Sequence, residues 1–197
     1  MDRIPEISNR KQEILSVAQK LISQKGYLAA SMRDLAEALN IKPASLYSHY
    51  RSKDEILWEI SIRCVHVFHS QVLPLVEAEM DVVEKLGLML RKHAEMIIQN
   101  MDAAAIFLRE WKHLEEPRRG KFAEDTFTYE QAFADVVQQG IDQGVFRAVK
   151  PKFITASMLS SINWIHQWYR PEGSMNMEQI GGQLSQFSIQ SLLKQPT

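Results

Sequence analysis

The sequence predicts an all-α protein: an N-terminal three-helix helix-turn-helix head on a larger helical body, about nine helices in its 197 residues. Three observations carry this. Apolar residues recur three and four apart along most of the chain, no segment sustains strict alternation, and neither Asn-Gly nor Asp-Gly offers a hairpin turn. Helix starts and stops are marked by Ser, Asn and Pro on one side and Gly on the other.

The elements follow in order. Ile14, Leu15, Ala18, Leu21 and Ile22 form one stripe, closed by Lys25-Gly26, a cation favourable to the helix dipole followed by the usual terminating glycine. Ser31-Met32-Arg33-Asp34 reads as a capping box with Asp in place of Glu, opening a short helix with Leu35, Ala36 and Leu39 inward. Asn40-Ile41 breaks that pattern, and Pro43 suits the first position of a third helix over roughly 43–49. Ser52-Lys53-Asp54-Glu55 is a full S-x-x-E box, starting a fourth helix that runs to about Val72 or a little beyond Pro74.

Further helices are expected at about 82–100, 102–114 and 118–143, the last ended by Gly144. Pro151 opens one to about Tyr169, and Asn176-Met177-Glu178-Gln179 caps a final helix to about Lys194. Residues 1–53 are expected to form one domain and 54–197 another. Their boundary is the fourth helix itself, a rigid connector where a Gly/Ser linker would transmit no displacement.

Composition narrows the class without naming it. The apolar share of 45% and charged share of 24% suit a globular protein with its own core. No apolar run reaches the ~20 residues of a bilayer span. The start, MDRIPEISNRKQEIL, has no signal-peptide core, and Cys64 stands alone, so a cytoplasmic protein without membrane attachment is expected. The net charge of −1 hides an asymmetry: residues 1–53 carry nine Lys/Arg against five Asp/Glu, the rest fourteen against nineteen. A basic end on an acidic body suits a polyanionic partner, though many non-binding domains differ as much.

The most informative stretch is 31–50. With Leu35, Ala36, Leu39, Leu46 and Tyr50 assigned to a core, Lys42, Ala44, Ser45, Tyr47, Ser48 and His49 have none to fill. Short polar groups, a small apolar one and two rings with polar tips suit a helix lying in a DNA major groove. Lys42 stands where the macrodipole disfavours a cation by a few tenths of a kcal/mol, a cost that an incoming phosphate would reverse or that a solvated lysine simply tolerates.

The run KQEILSVAQKLISQKGYLAASMRDLAEALNIKPASLYSHYRSKDEIL, about residues 10–57, resembles the DNA-binding domain of the TetR family of repressors. The likeness lies in Lys25-Gly26-Tyr27, Asp34-Leu35-Ala36, Leu46-Tyr47, Tyr50 and Ser52-Lys53-Asp54-Glu55; Lys42 departs from it, the family usually having a small hydroxyl residue there. The resemblance implies that Tyr47, His49, Lys53 and Arg33 position the DNA backbone, with Lys42, Ala44, Ser45 and Ser48 facing base edges. One such head makes too few base contacts for selectivity, so a homodimer on near-palindromic double-stranded operator DNA is expected. Family members commonly pair through the last two helices, here carrying Ser157, Ser160 and Ser161, and Gly181, Gly182, Ser185 and Ser188. Packing within the chain is the other use of such residues.

In the body, Arg109, Trp111 and His113, and then Asn163, Trp164 and Trp168, gather aromatic and polar groups fit for a small-molecule site; arginine adds a fork for carboxylate or phosphate. The stretches FLREWKHLEEPRR and SSINWIHQWYRPEG resemble the acyl-CoA-responsive branch of the family, implying an acyl-CoA effector. A different hydrophobic effector, or none, is the alternative. Cys64, His66 and His69 lie on one helix without an acidic partner and are read as core or solvated groups, so no metal is expected. No nucleophile elbow, P-loop, dinucleotide fingerprint or H-E-x-x-H occurs, so no cofactor and no catalytic residue are assigned; a small all-α enzyme is the remote alternative.

Overall fold

The computed structural model describes residues 7–194; residues 1–6, on which the expectation of no signal peptide and the start of the first expected domain fall, and 195–197 lie outside the described residues. The described residues form α1 (Asn9–Lys25), α2 (Met32–Ala38), α3 (Pro43–Tyr47), α4 (Lys53–Val76), α5 (Val82–Gln99), α6 (Met101–Arg109), a 3-10 turn (Trp111–His113), α7 (Arg118–Asp142), α8 (Pro151–Asn163), α9 (Ile165–Trp168) and α10 (Met177–Gln190). The single bridge of β type among them pairs Phe146 with Leu193. Contacts divide the chain into two compact units, residues 1–66 with 101–124, and 67–100 with 125–197. Helices α4 and α7 each carry residues of both.

The first unit is built around Ile14, Leu15, Ala18 and Ile22 of α1, Leu35 and Ala36 of α2, Leu46 of α3, Tyr50, and Ile56, Leu57 and Ile60 of α4. Ile106, Leu114 and Phe122 complete this core from later in the chain. Each large apolar side chain among them contributes about 1.5–3 kcal/mol by leaving water. The capping box at Ser31 forms as expected: its hydroxyl accepts from Asp34 N at 3.1 Å and its N–H donates to the Asp34 carboxylate at 2.8 Å. The Ser31 hydroxyl, which also donates to that carboxylate, and then the Ser31 N–H hold the Asp34 carboxyl below the usual range. At the start of α4 the box is shifted by one residue. Ser52 Oγ accepts from Glu55 N at 3.1 Å, while the Glu55 carboxylate receives Arg51 N at 2.7 Å.

In the second unit, Asp81 caps α5 through Val83 N and Glu84 N, and Asn176 with Gln179 makes the expected reciprocal box on α10. Helix α10 lies against α5 where side chains are small: Ser185 Oγ donates to Gly87 O at 2.9 Å, and Gly181 faces Arg91 and Ala94. A turn after α7 depends on Gly140. Both Val145 N and Phe146 N bond its carbonyl at 3.0 Å, and a Cβ there would sit 2.1 Å from the Phe146 ring.

The helix expected over 151–169 is interrupted at Trp164, which ends α8 and begins α9. The His166 ring takes the Asn163 carbonyl at 2.6 Å, and Gln167 N turns to Trp164 O instead, so the ladder tightens by one residue. Likewise the helix expected over 102–114 stops at Arg109 and continues as the 3-10 turn.

Candidate nucleic-acid interface and sensor residues

The turn between α2 and α3 is set by Asn40, whose φ of 53° takes the left-handed conformation that asparagine tolerates. Ile41 N returns to Ala36 O at 2.9 Å, closing it. From there Lys42, Ala44, Ser45, Tyr47 and Ser48 all face solvent, and His49 is half-buried. Tyr47 is 49% exposed although its neighbour Leu46 is fully buried, so the aromatic ring is displayed rather than packed. Lys42 caps α3 through its backbone alone: its carbonyl receives Ser45 N at 2.9 Å, and its side chain makes no capping bond. Ser48 Oγ donates to Ser45 O at 2.7 Å, which leaves the exposed hydroxyl its capacity to accept. Arg33 stands in the first turn of α2.

Lys53 is placed differently from these. Its ammonium donates to Tyr27 O at 2.6 Å and Ala30 O at 2.7 Å, and lies 4.2 Å from the Tyr27 ring centroid. It thereby ties the start of α4 to the α1–α2 turn, and desolvation there lowers its pKa. Tyr27 itself is buried, its hydroxyl pushed up to about 12 by burial and then by the charges of Asp54 and Glu115. Beside it Leu28 is 75% exposed on the same turn, an apolar surface residue that helical spacing gives no reason to notice.

The residues expected to sense a ligand fall into both units. In the first, Trp111 stacks on Phe122 with centroids 5.5 Å apart, and His113 stacks on Tyr27 at 5.4 Å and 17°. Arg109 Nη2 points to Ser23 O at 3.4 Å, on α1. In the second, Trp164 and Trp168 stand outward, 61% and 46% exposed in the single chain, whereas Asn163 reaches into the core.

There Asn163 meets residues that helical spacing does not single out. His93 is buried on α5, with Nε2 at 2.9 Å from Asn163 Oδ1 and Nδ1 at 3.0 Å from the Tyr129 hydroxyl. Burial pushes its pKa down to about 4, partly offset by the Asn163 bond. A neutral imidazole donates through one nitrogen only, and Oδ1 can only accept, so Nε2 carries the proton and Tyr129 donates to Nδ1. His69 stacks on Tyr129 at 5.6 Å and bonds Asp125 O at 3.0 Å. This chain of polar groups joins α4, α5, α7 and α8 in one small volume.

The expected pairing surface is divided in its use. Gly181, Ser185 and Ser188 are buried within the chain. Ser157, Ser160 and Ser161 remain exposed on α8, flanked by Phe153 (72% exposed) and Trp164, and Phe187 is likewise open on α10. Cys64 is buried, and burial raises its thiol pKa. No helix among the described residues is long and apolar enough to cross a membrane.

Comparison with known proteins gives these features their setting. Residues 14–60 match the family model described as bacterial regulatory proteins, tetR family, and residues 79–192 match that of the tetracyclin repressor-like C-terminal domain. The HTH-type transcriptional repressor KstR2 of Mycobacterium tuberculosis is 26% identical over 186 residues, covering 93% of each chain. The crystal structure of the TetR family regulator PfmR from Thermus thermophilus superposes with a TM-score of 0.81 at 32% identity, over 90% of this chain and 97% of that one. That of AibR, in complex with isovaleryl coenzyme A and operator DNA, gives a TM-score of 0.81 at 27% identity, over 94% and 98%. With an open polar face on α3, an intact Ser31 cap and both halves matched, the chain belongs to the TetR family of transcriptional regulators and not to an enzyme class.

Proposed function

We propose that this protein is a cytoplasmic repressor that binds near-palindromic operator DNA as a homodimer and is released by a small-molecule effector, an acyl-CoA thioester. Residues 1–53 serve as the DNA-binding head and 54–197 as the effector-binding and dimerisation body, a division supported by the separate family matches at 14–60 and 79–192. The observation that carries the reading is the face of α3: exposed Lys42, Ala44, Ser45 and Ser48 beside an exposed Tyr47, on a helix whose inner side is fully used.

On DNA, Lys42 meets a phosphate or a guanine edge, Ala44, Ser45 and Ser48 face bases, and Tyr47, His49 and Arg33 fix the backbone register. Lys53 contributes through its hold on the α1–α2 turn. The exposed α8 face, Phe153, Ser157, Ser160 and Ser161, supplies the two-fold contact together with Phe187 of α10. In a dimer its aromatics leave water, which accounts for their exposure in one chain. Two heads then reach successive major grooves, about 34–36 Å apart.

For the effector, AibR in complex with isovaleryl coenzyme A supports an acyl-CoA here. Arg109, Trp111 and His113 of the first unit, and separately Asn163, Trp164 and Trp168 of the second, remain the proposed sensor residues, with His93, itself bonded to Tyr129, added as the partner that orients Asn163. Effector binding must favour the DNA-incompetent state; coupling of about 1–3 kcal/mol is typical, roughly a 5- to 150-fold change in operator affinity. The test is operator release in a gel-shift assay with a panel of short, long and aromatic acyl-CoAs, free acids serving as controls. Release by a subset supports the reading; no release by any acyl-CoA removes the effector assignment and leaves DNA binding standing.

A further inference from the structure

In the second unit α5 and α10 run antiparallel in close contact, since Ser185 bonds Gly87 O at 2.9 Å while Gly181 faces Arg91 and Ala94. One flank of this pair is left open as a groove of about 460 Å³. Its depth comes from glycine. A Cβ at Gly182 would meet nothing within 4 Å, and the Arg91 side chain folds back along α5 until Nη1 lies 3.4 Å from where a Cβ at Gly87 would stand. Arg91 is half-buried there, and no carboxylate or other acceptor among the described residues engages its guanidinium. Holding a guanidinium partly out of water without a counter-ion is unfavourable, and its planar fork matches a carboxylate bidentately. The antiparallel packing puts Arg91 and Gly182 at one end of the groove and the apolar walls Met80, Val83 and Ile189 at the other. Glu84, two helical turns before Arg91, lies toward the apolar end and repels an anion from it.

We propose that this groove binds an amphipathic organic anion: a medium-chain carboxylate whose head pairs with Arg91 beside Gly182 and whose tail lies along Met80, Val83 and Ile189. The order of charges fixes its direction, because the head meets a cation at one end and a carboxylate at the other. Bound in this way, the ligand touches α5 and α10 together and fastens one to the other. The site is separate from the proposed two-fold contact, Gly182 lying about 140° around α10 from Phe187. It is separate too from the proposed sensor residues, none of which lines the groove. The inference therefore stands whether or not an acyl-CoA is the effector.

The test is calorimetric titration of the full-length protein with octanoate, and with octanamide as its uncharged match, in wild type, Arg91→Gln and Gly182→Leu. Octanoate is expected to bind the wild type at least tenfold more tightly than octanamide does, and to bind either variant at least tenfold more weakly. Gly182→Leu is the decisive variant, because it fills the open end of the groove without removing a charge. Leucine is also the better helix former, so its melting temperature is expected to equal or exceed that of the wild type, and lost binding is not lost folding. Absence of octanoate binding in the wild type, equal affinity for octanoate and octanamide, or undiminished affinity in either variant would overturn the site. A change in the size of Gly182→Leu in sedimentation would overturn it as well, making the groove an interface between copies of the chain. Operator release by acyl-CoAs is a separate measurement, and its failure would leave this result untouched.

Discussion

Replacing Lys53 by methionine keeps the length and apolar character of the stem and removes only the ammonium. Two hydrogen bonds from a charged donor are lost, to Tyr27 O and Ala30 O, along with the contact to the Tyr27 ring. Hydrogen bonds to charged groups contribute about 1.5–3 kcal/mol each, and a partly exposed cation–π contact about 0.5–1. The turn lies near the surface, so water recovers part of this and the net loss is about 2–3 kcal/mol. If that falls on the head, operator affinity drops roughly thirty- to a hundred-and-fiftyfold. The informative quantity is the salt dependence. A side chain that neutralises a phosphate contributes about 0.9 to the slope of log affinity against log salt. Fluorescence anisotropy of a selected duplex between low and moderate salt is expected to show Lys53→Met weaker at every salt with the slope of the wild type. A slope lower by about 0.9 at little cost in thermal stability would refute the structural role and make Lys53 a direct phosphate ligand.

The other predictions probe separate parts. Lys42→Ala is expected to reduce the same slope by about 0.9 without changing the melting temperature, while Tyr47→Ala weakens all sequences alike. His93, with its pKa depressed to about 4 from 6.5, stays neutral where the unfolded chain takes up a proton. Its contribution is complete above pH 6.5 and is lost as pH falls toward 4, by about 3 kcal/mol in total, so urea midpoints of a His93→Gln variant should fall less steeply over that window than those of the wild type. Gly140→Ala places a methyl against the Phe146 ring and is expected to cost about 1–3 kcal/mol in chemical denaturation, partly recovered by Phe146→Leu. Phe153→Asp is expected to give monomers in sedimentation experiments and to weaken operator binding by roughly a hundredfold or more.

How much of this can be read from the chain depends on the distance over which each feature is encoded. The Ser31 and Asn176 caps, the Gly26 stop and the inner faces of α1 to α3 are written within four residues, and periodicity locates them. The open face of α3 follows by subtraction once Leu46 and Tyr50 are known to be inward. The break at Trp164 is not visible in the sequence, because it comes from the His166 ring capturing a backbone carbonyl that helical spacing assigns to the ladder. Nor is the pairing of His93 with Tyr129 and Asn163, at separations of 36 and 70 residues. The clustering of Arg109, Trp111 and His113 stands out by its composition. Their contacts with Ser23, Phe122 and Tyr27 give them a use in the first unit that no local pattern records. Lys53 shows the same limit, since its motif position suggests a phosphate while its ammonium is engaged with two carbonyls. The small residues of α10 show it too, some turned to α5 and some left open.

Sequence-specific DNA binding by the face of α3 is the central claim. Its most direct test is a binding titration of the full-length protein with duplexes selected from a random pool, competed by unselected DNA, beside a Ser45→Glu variant. The expected result is a set of sites with two inverted half-sites about one helical turn apart, bound at least roughly a thousandfold more tightly than competitor, and loss of that preference in Ser45→Glu. Selection of no common sequence, or a Ser45→Glu variant with undiminished preference, would contradict it.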